Sequence, residues 1–203
     1  MSAAAIDRWD PASPGDAAAW FANVAAPWWI AGGWAIDIFL DRETRPHEDL
    51  DVSVLRPDVG QLIGSIPDFE VFEAKNGELS YLSDTSPRRD VNSLWCRVRG
   101  TQRWKLEIML DECRDGLWVY RRDPEIRRDL ASVIRKSRLG IPYLAPEVQL
   151  LYKAKHARAR DQQDFEAVAP QLAEDARNWL RQCLQRTLPS HPWIGMLERH
   201  RPI

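Results

Sequence analysis

Apolar positions fall into short alternating runs over the first 120 residues and into helical spacing afterwards. Residues 1–15, with two prolines and small side chains, read as a loose lead-in. Asp16 to Ala26 is alanine-rich with Trp20, Phe21 and Val24, which predicts a first helix ended by Pro27. Trp28 to Ala31 reads as a short buried strand. Gly32 and Gly33 then turn the chain into a helix from Trp34 to about Leu40, with Trp34/Ile38 and Ala35/Phe39 one turn apart. Leu50–Leu55 forms a second strand, Val59–Ile66 a helix, and Phe69–Phe72 and Leu79–Leu82 a hairpin around Asn76-Gly77. Leu94–Val98 and Trp104–Leu110 alternate on either side of Gly100, and Trp118–Tyr120 adds a short strand. Beyond Asp123 the pattern turns mainly helical, with helices from Pro146 to about Arg158, over Asp161–Val168 and over about Leu172–Arg186. This predicts an α+β fold, a mixed sheet with flanking helices over residues 1–122 and a mainly helical part over 123–203.

The polar positions inside this frame carry the chemistry. Asp49 and Asp51 alternate along an apolar run at the start of the second strand, and aspartates at i and i+2 on a strand point to one face. Two carboxylates about 4 Å apart repel by roughly 4 kcal/mol at an effective dielectric of 20, and a cation between them reverses the sign. Mg²⁺ is the hard ion usually held by one or two carboxylates together with substrate phosphates. Upstream, the Gly32-Gly33 turn lets backbone N–H groups approach a phosphate at a helix N-terminus. The pairing suggests a nucleoside triphosphate held by glycines at one end and by metal at the other.

These residues resemble the nucleotidyltransferase superfamily that includes DNA polymerase β, and within it the aminoglycoside 2″-adenylyltransferase and lincosamide nucleotidyltransferase group. The resemblance runs through Gly32, Gly33, Trp34, Ala35, Asp37, Arg45, His47, Asp49 and Asp51, and is strong over residues 27–56. It implies a nucleotidyltransferase-type sheet followed by a C-terminal helical subdomain that closes the cleft. It also implies Mg²⁺-dependent transfer of a nucleoside monophosphate, AMP from ATP, to a hydroxyl of a small acceptor such as an aminoglycoside. Two rival readings stay open: the same chemistry on a protein or a tRNA end, and a nucleotide-binding module without turnover.

The superfamily supplies a third carboxylate from a neighbouring strand, as metal ligand or base. Glu107 in W-K-L-E-I-M-L fits, because Leu106, Ile108 and Leu110 take the opposite face. Asp111 is the runner-up, expected past the strand end. Where the superfamily often has Gly-Ser, this chain has Gly33, so backbone N–H groups must serve the phosphates. On the later helix, Gln149, Lys153, His156 and Arg160 form one stripe with Lys155 and Arg158 alongside; Lys153 or Lys155 is expected on the triphosphate. Arg121, Arg122, Arg127 and Arg128 are expected to pair with Asp123, Glu125 and Asp129. His47 is expected to orient the carboxylates, and Asp37 to be structural or a surface charge. Trp28, Trp29 and Trp34 are expected in the core rather than in a ring-stacking pocket. A polycationic acceptor needs acids at the cleft, for which Glu43, Glu48, Glu107, Asp111 and Glu112 are candidates.

Composition narrows the classes. A net charge of −2 argues against a template-using polymerase, leaving tRNA as the one nucleic acid of interest. Three well-separated cysteines argue against a disulfide framework or zinc cluster. No signal-peptide pattern or long apolar run is present, so the expected setting is cytoplasmic, away from membranes.

Overall fold

The computed structural model describes residues 8–199, so the start of the lead-in lies outside the described residues. In chain order the elements are α1 (Pro14–Trp20), β1 (Trp28–Ile30), α2 (Gly32–Leu40), β2 (Asp51–Leu55), α3 (Val59–Ser65), β3 (Phe69–Lys75), β4 (Glu78–Tyr81), β5 (Ser93–Val98), β6 (Trp104–Arg114) and β7 (Leu117–Val119). There follow β8 (Arg127–Asp129), α4 (Leu130–Val133), β9 (Ile134–Lys136), β10 (Pro142–Leu144), α5 (Pro146–Ala154), α6 (Ala159–Val168), α7 (Glu174–Thr187) and α8 (Trp193–Arg199). The fold is α+β, with a mixed sheet flanked by helices and more helices at the C-terminal end.

The sheet runs β4-β3-β5-β6-β2-β1-β10-β9, with β7 and β8 continuing from β6. β2 is central: it pairs antiparallel with β1 and parallel with β6. Alternation sorts its side chains. Val52 and Val54 are fully buried on the core face, together with Ile108 and Leu110 of β6, leaving Asp51 and Ser53 on the other. The β3–β4 hairpin turns on Asn76 and Gly77, both at positive φ (51° and 79°), the two-residue turn whose twist matches its strands.

Several elements differ from the sequence reading for identifiable reasons. α1 starts two residues early, because Ser13 and Asp16 close a capping box with Pro14 at the first helical position. The helix expected to reach Arg158 stops at Ala154, and a separate helix begins at Ala159. Its cause is Asp161, whose carboxylate accepts the Arg158 backbone N–H at 3.0 Å and caps a new start. After residue 123, three short strands precede α5, with the four-residue α4 between the first two, and β10 pairs with β1 (Ile30 opposite Tyr143). Arg127-Arg128-Asp129 and Ile134-Arg135-Lys136 lack the apolar alternation that marks strands, which hid them from periodicity. No helix among the described residues is long and apolar enough to cross a membrane.

Candidate active site

Sheet register decides where the acidic residues meet. Asp51 of β2 lies directly opposite Glu107 of β6, so the two side chains leave the same face from strands about 4.8 Å apart. Asp49 sits two residues earlier, in the loop before β2 rather than on the strand, and it lines the same cleft as Asp51. Burial first, then the Glu107 and Asp49 charges, push the Asp51 carboxyl well above the usual range. Burial also raises Glu107, while hydrogen bonds from Ser93 and Trp95 pull it back; Ser93 Oγ donates to Glu107 Oε1 at 2.6 Å. Among the described residues no three ligating side chains form a preassembled metal cluster. The donor set still fits a hard divalent cation, because such an ion relieves the crowding and burial that raise the Asp51 and Glu107 carboxyls.

The glycines are dictated by this crowding. Gly32 holds a φ of +67°, and a Cβ there would overlap the Asp51 carboxylate; a Cβ on Gly33 would meet Arg45 and come within 2.7 Å of His47 Nδ1. α2 therefore starts against the acidic pair with no side chain in between. The Gly32 N–H is already taken by Gln149 Oε1 at 2.8 Å. Of the backbone donors expected at this turn, those of Gly33 and Trp34 are the ones without an intrahelical partner.

The loop carrying Asp49 is tied to α2 by Asp37. His47 Nε2 lies 2.6 Å from Asp37 Oδ2, Thr44 donates to the same carboxylate, and the His47 ring stacks on Trp34 at 4.1 Å. Asp37 is thus a buried structural group. His47 acts on the acidic loop through it, not by touching Asp49 or Asp51. Trp28 and Trp29 lie in the core, and none of the three tryptophans lines the cleft.

The cleft has a volume of about 460 Å³, within the range of small-ligand sites. Gln149, Lys153, His156, Arg158 and Arg160 line its helical wall, so the stripe seen in the sequence faces inward, although a turn splits it between two helices. Lys153 lies 3.0 Å from Asp161 and 2.8 Å from Asp164, both buried. Burial pushes Asp161 up, but hydrogen bonds from Arg158 and Lys153 outweigh it and hold the carboxyl far below the usual range. Lys155, expected beside Lys153, is exposed and outside the lining, because α5 has ended and Lys155 is its cap.

The opposite end holds residues the sequence reading misplaced. Asp111 lies within β6 rather than past its end, and on the Glu107 face. It is buried, accepts from Tyr152 Oη at 3.2 Å, and burial raises its carboxyl to about 6. Arg121 and Arg122 line the cleft here. Arg122 donates to the Tyr152 carbonyl at 2.7 Å, Arg127 faces Asp115, Arg128 pairs with Glu147, and Asp123 takes Arg186 instead. Local sequence proximity was the wrong guide, since the pairing of β8 with β7 turns Arg127 towards Asp115 and Arg128 towards Glu147 of α5. Of the acids proposed for a cationic acceptor, only Asp111 lines the cleft: Glu48 is paired with Arg160 and Glu112 with Arg56, and neither these two nor Glu43 nor Glu107 is in the lining.

A family model described as aminoglycoside-2″-adenylyltransferase matches residues 16–168, three quarters of the chain, and spans every acidic and glycine position above. The chain belongs to that family. As an aminoglycoside-2″-adenylyltransferase family member it is a nucleotidyltransferase, the class that the sheet, glycine turn and acidic pair already indicate. Solved structures agree on the fold. One is ANT(2″)-Ia in complex with adenylyl-2″-tobramycin, 16% identical at a TM-score of 0.57, covering 85% of this chain and 95% of that one. Another is the lincosamide antibiotic adenylyltransferase LnuA with lincomycin bound, 16% identical at 0.51, covering 73% and 89%. An antigenic nucleotidyltransferase-like protein from Paracoccidioides brasiliensis is 14% identical at 0.50, covering 93% and 90%. No curated protein matches the sequence.

Proposed function

We propose that this nucleotidyltransferase moves AMP from ATP, with Mg²⁺, onto a hydroxyl of a small antibiotic-like acceptor and releases pyrophosphate. One arrangement carries the reading: Asp49 and Asp51 line the cleft beside the side-chain-free N-terminus of α2, and Glu107 stands opposite Asp51 on the neighbouring strand. Asp49 and Asp51 would hold the metal, with Glu107 as third ligand or as the base that takes the acceptor proton. When bound, Mg²⁺ supplies charge neutralisation and Lewis acidity at the phosphates. The unpaired N–H groups of Gly33 and Trp34, with the α2 dipole, favour phosphate oxygens at that end. Lys153 adds a cation from the helical wall, while the exposed Lys155 drops out of the proposed phosphate contacts.

The two-part organisation belongs to this proposal: the core, 1–122, supplies acids and glycines, and the C-terminal part, 123–203, the cationic wall. The reaction is assigned to the cytoplasm, in keeping with three cysteines that are all free thiols. Incubation with α-labelled ATP, Mg²⁺ and separate pools of aminoglycosides, lincosamides and total tRNA tests the reading. Label on a small molecule supports it. Label on tRNA or on protein would redirect it to a macromolecular acceptor, and nucleotide binding with no transfer would leave a binding module.

A further inference from the structure

Arg45 stands on the loop between α2 and β2, next to a firmly held stretch of chain. Pro46 follows it and disfavours helical backbone at Arg45, and His47 is anchored by Asp37 at 2.6 Å and by its stack on Trp34. From there the Arg45 side chain runs over the first turn of α2, where its Nη2 occupies the space that a side chain on Gly33 would need. Arg45 lines the cleft together with Gly32 and Gly33, and its side chain is 20% exposed.

The guanidinium is only loosely committed to protein partners. Nη1 donates to the Pro46 carbonyl at 3.2 Å, Nη2 lies 3.6 Å from Asp164, longer than a hydrogen bond, and the buried Nε has no hydrogen-bond partner. Buried donors are nearly always satisfied, so a fork left this open is matched to a group that enters the cleft. The cations of the helical wall are placed differently. Lys153 sits between Asp161 and Asp164 at 3.0 and 2.8 Å, and Arg158 lies 2.8 Å from Asp161. Two carboxylates balance two close cations there, which leaves Arg45 as the positive charge in excess. Arg45 is also the cation that lies against Gly33, whose N–H is one of the two left free at the start of α2.

Resting on the adenylyl-transfer reading above, we infer that Arg45 is the residue that recognises the outer phosphates of the nucleotide, and that it sets the preference for a triphosphate over a monophosphate. Its fork meets phosphate oxygens from the loop, while the Gly33 and Trp34 N–H groups meet them from the helix. Lys153 adds to the positive field from the wall but stays with its two carboxylates. Arg45 and Asp49 share one loop, so the phosphate contact and the metal contact are set by the same stretch of backbone.

Calorimetric titration of a non-hydrolysable ATP analogue, and separately of AMP, into the protein with Mg²⁺ reads the contact without turnover. Arg45→Ala and Arg45→Gln should each weaken binding of the analogue by about tenfold or more, the scale of a lost charge-assisted hydrogen bond. AMP affinity should stay within about twofold of wild type, because AMP has no outer phosphates. Arg45→Lys keeps the charge and loses the planar fork, so it should fall between wild type and Arg45→Ala. Arg45→Gln keeps most of the stem over Gly33 and carries the test if Arg45→Ala fails to fold. Analogue affinity within about twofold of wild type in Arg45→Gln overturns the inference. An equal loss for the analogue and AMP does so too, since it makes Arg45 a structural support only. A wild-type protein that binds neither nucleotide overturns the inference together with the transfer reading. Arg45-dependent preference for the analogue, with no label transferred to any acceptor in the pooled screen, upholds the inference and sinks the transfer reading alone.

Discussion

Replacing Asp111 with asparagine isolates the electrostatic cost of building the cleft. Asp111 is buried, and its carboxyl rises from an ordinary 3.8 to about 6, chiefly through loss of solvation. A folded-state pKa above the unfolded one means that stability is fully present below about pH 4 and is lost as pH rises through 6. A rise of a little over two pH units corresponds to about 3 kcal/mol, since one unit is worth about 1.4 kcal/mol. Asparagine keeps the shape and can still accept from Tyr152 Oη, but it carries no charge to desolvate. Asp111→Asn should therefore be more stable than wild type by about 1–3 kcal/mol at pH 8, with the gap closing towards pH 4. Urea unfolding followed by tryptophan fluorescence at both pH values measures it. A variant less stable at pH 8, or a difference that does not change with pH, would refute the reasoning.

Gly32→Ala forces a side chain into the Asp51 carboxylate at a positive φ. It should cost about 1–2 kcal/mol from backbone strain and lower the transfer rate far more than that loss of stability explains. Lys153→Ala leaves Asp164 without its 2.8 Å partner and should destabilise the fold by roughly 3–5 kcal/mol, whereas Lys155→Ala should change stability by less than about 0.5 kcal/mol. Chemical denaturation of the two variants side by side checks the contrast. Asp37→Ala frees His47 and Thr44, so faster amide exchange should appear between residues 41 and 50 while the β6 strand stays protected.

The parts legible in the sequence were those set by local spacing. Gly32-Gly33 and Asp49-x-Asp51 were readable because a close approach and a period-two alternation leave a direct mark on residue choice. Glu107 was readable because apolar Leu106, Ile108 and Leu110 fix its face, and the register then sets it opposite Asp51. Partner choice across the fold was not readable. Nothing local says that Arg128 crosses to Glu147 or that Gln149 occupies the Gly32 N–H. The break after Ala154 was also hidden, since its residues are good helix formers and only the cap by Asp161 overrides them. Trp95 read simply as one position on an alternating strand; the β5–β6 register sets it opposite Glu107.

The most direct test of the account is the rate of label transfer from α-labelled ATP to the acceptor identified by the pooled screen, compared between wild type and Asp51→Asn at saturating Mg²⁺. The variant should fold normally, with a circular dichroism spectrum matching wild type, because asparagine fits the same space and relieves a desolvated carboxylate. Transfer should fall by about a thousandfold or more, the scale expected when charge stabilisation at the phosphates is removed. Asp51→Asn turning over at near the wild-type rate, in a Mg²⁺-dependent manner, would contradict the assignment of Asp51 and the placing of the reaction in this cleft.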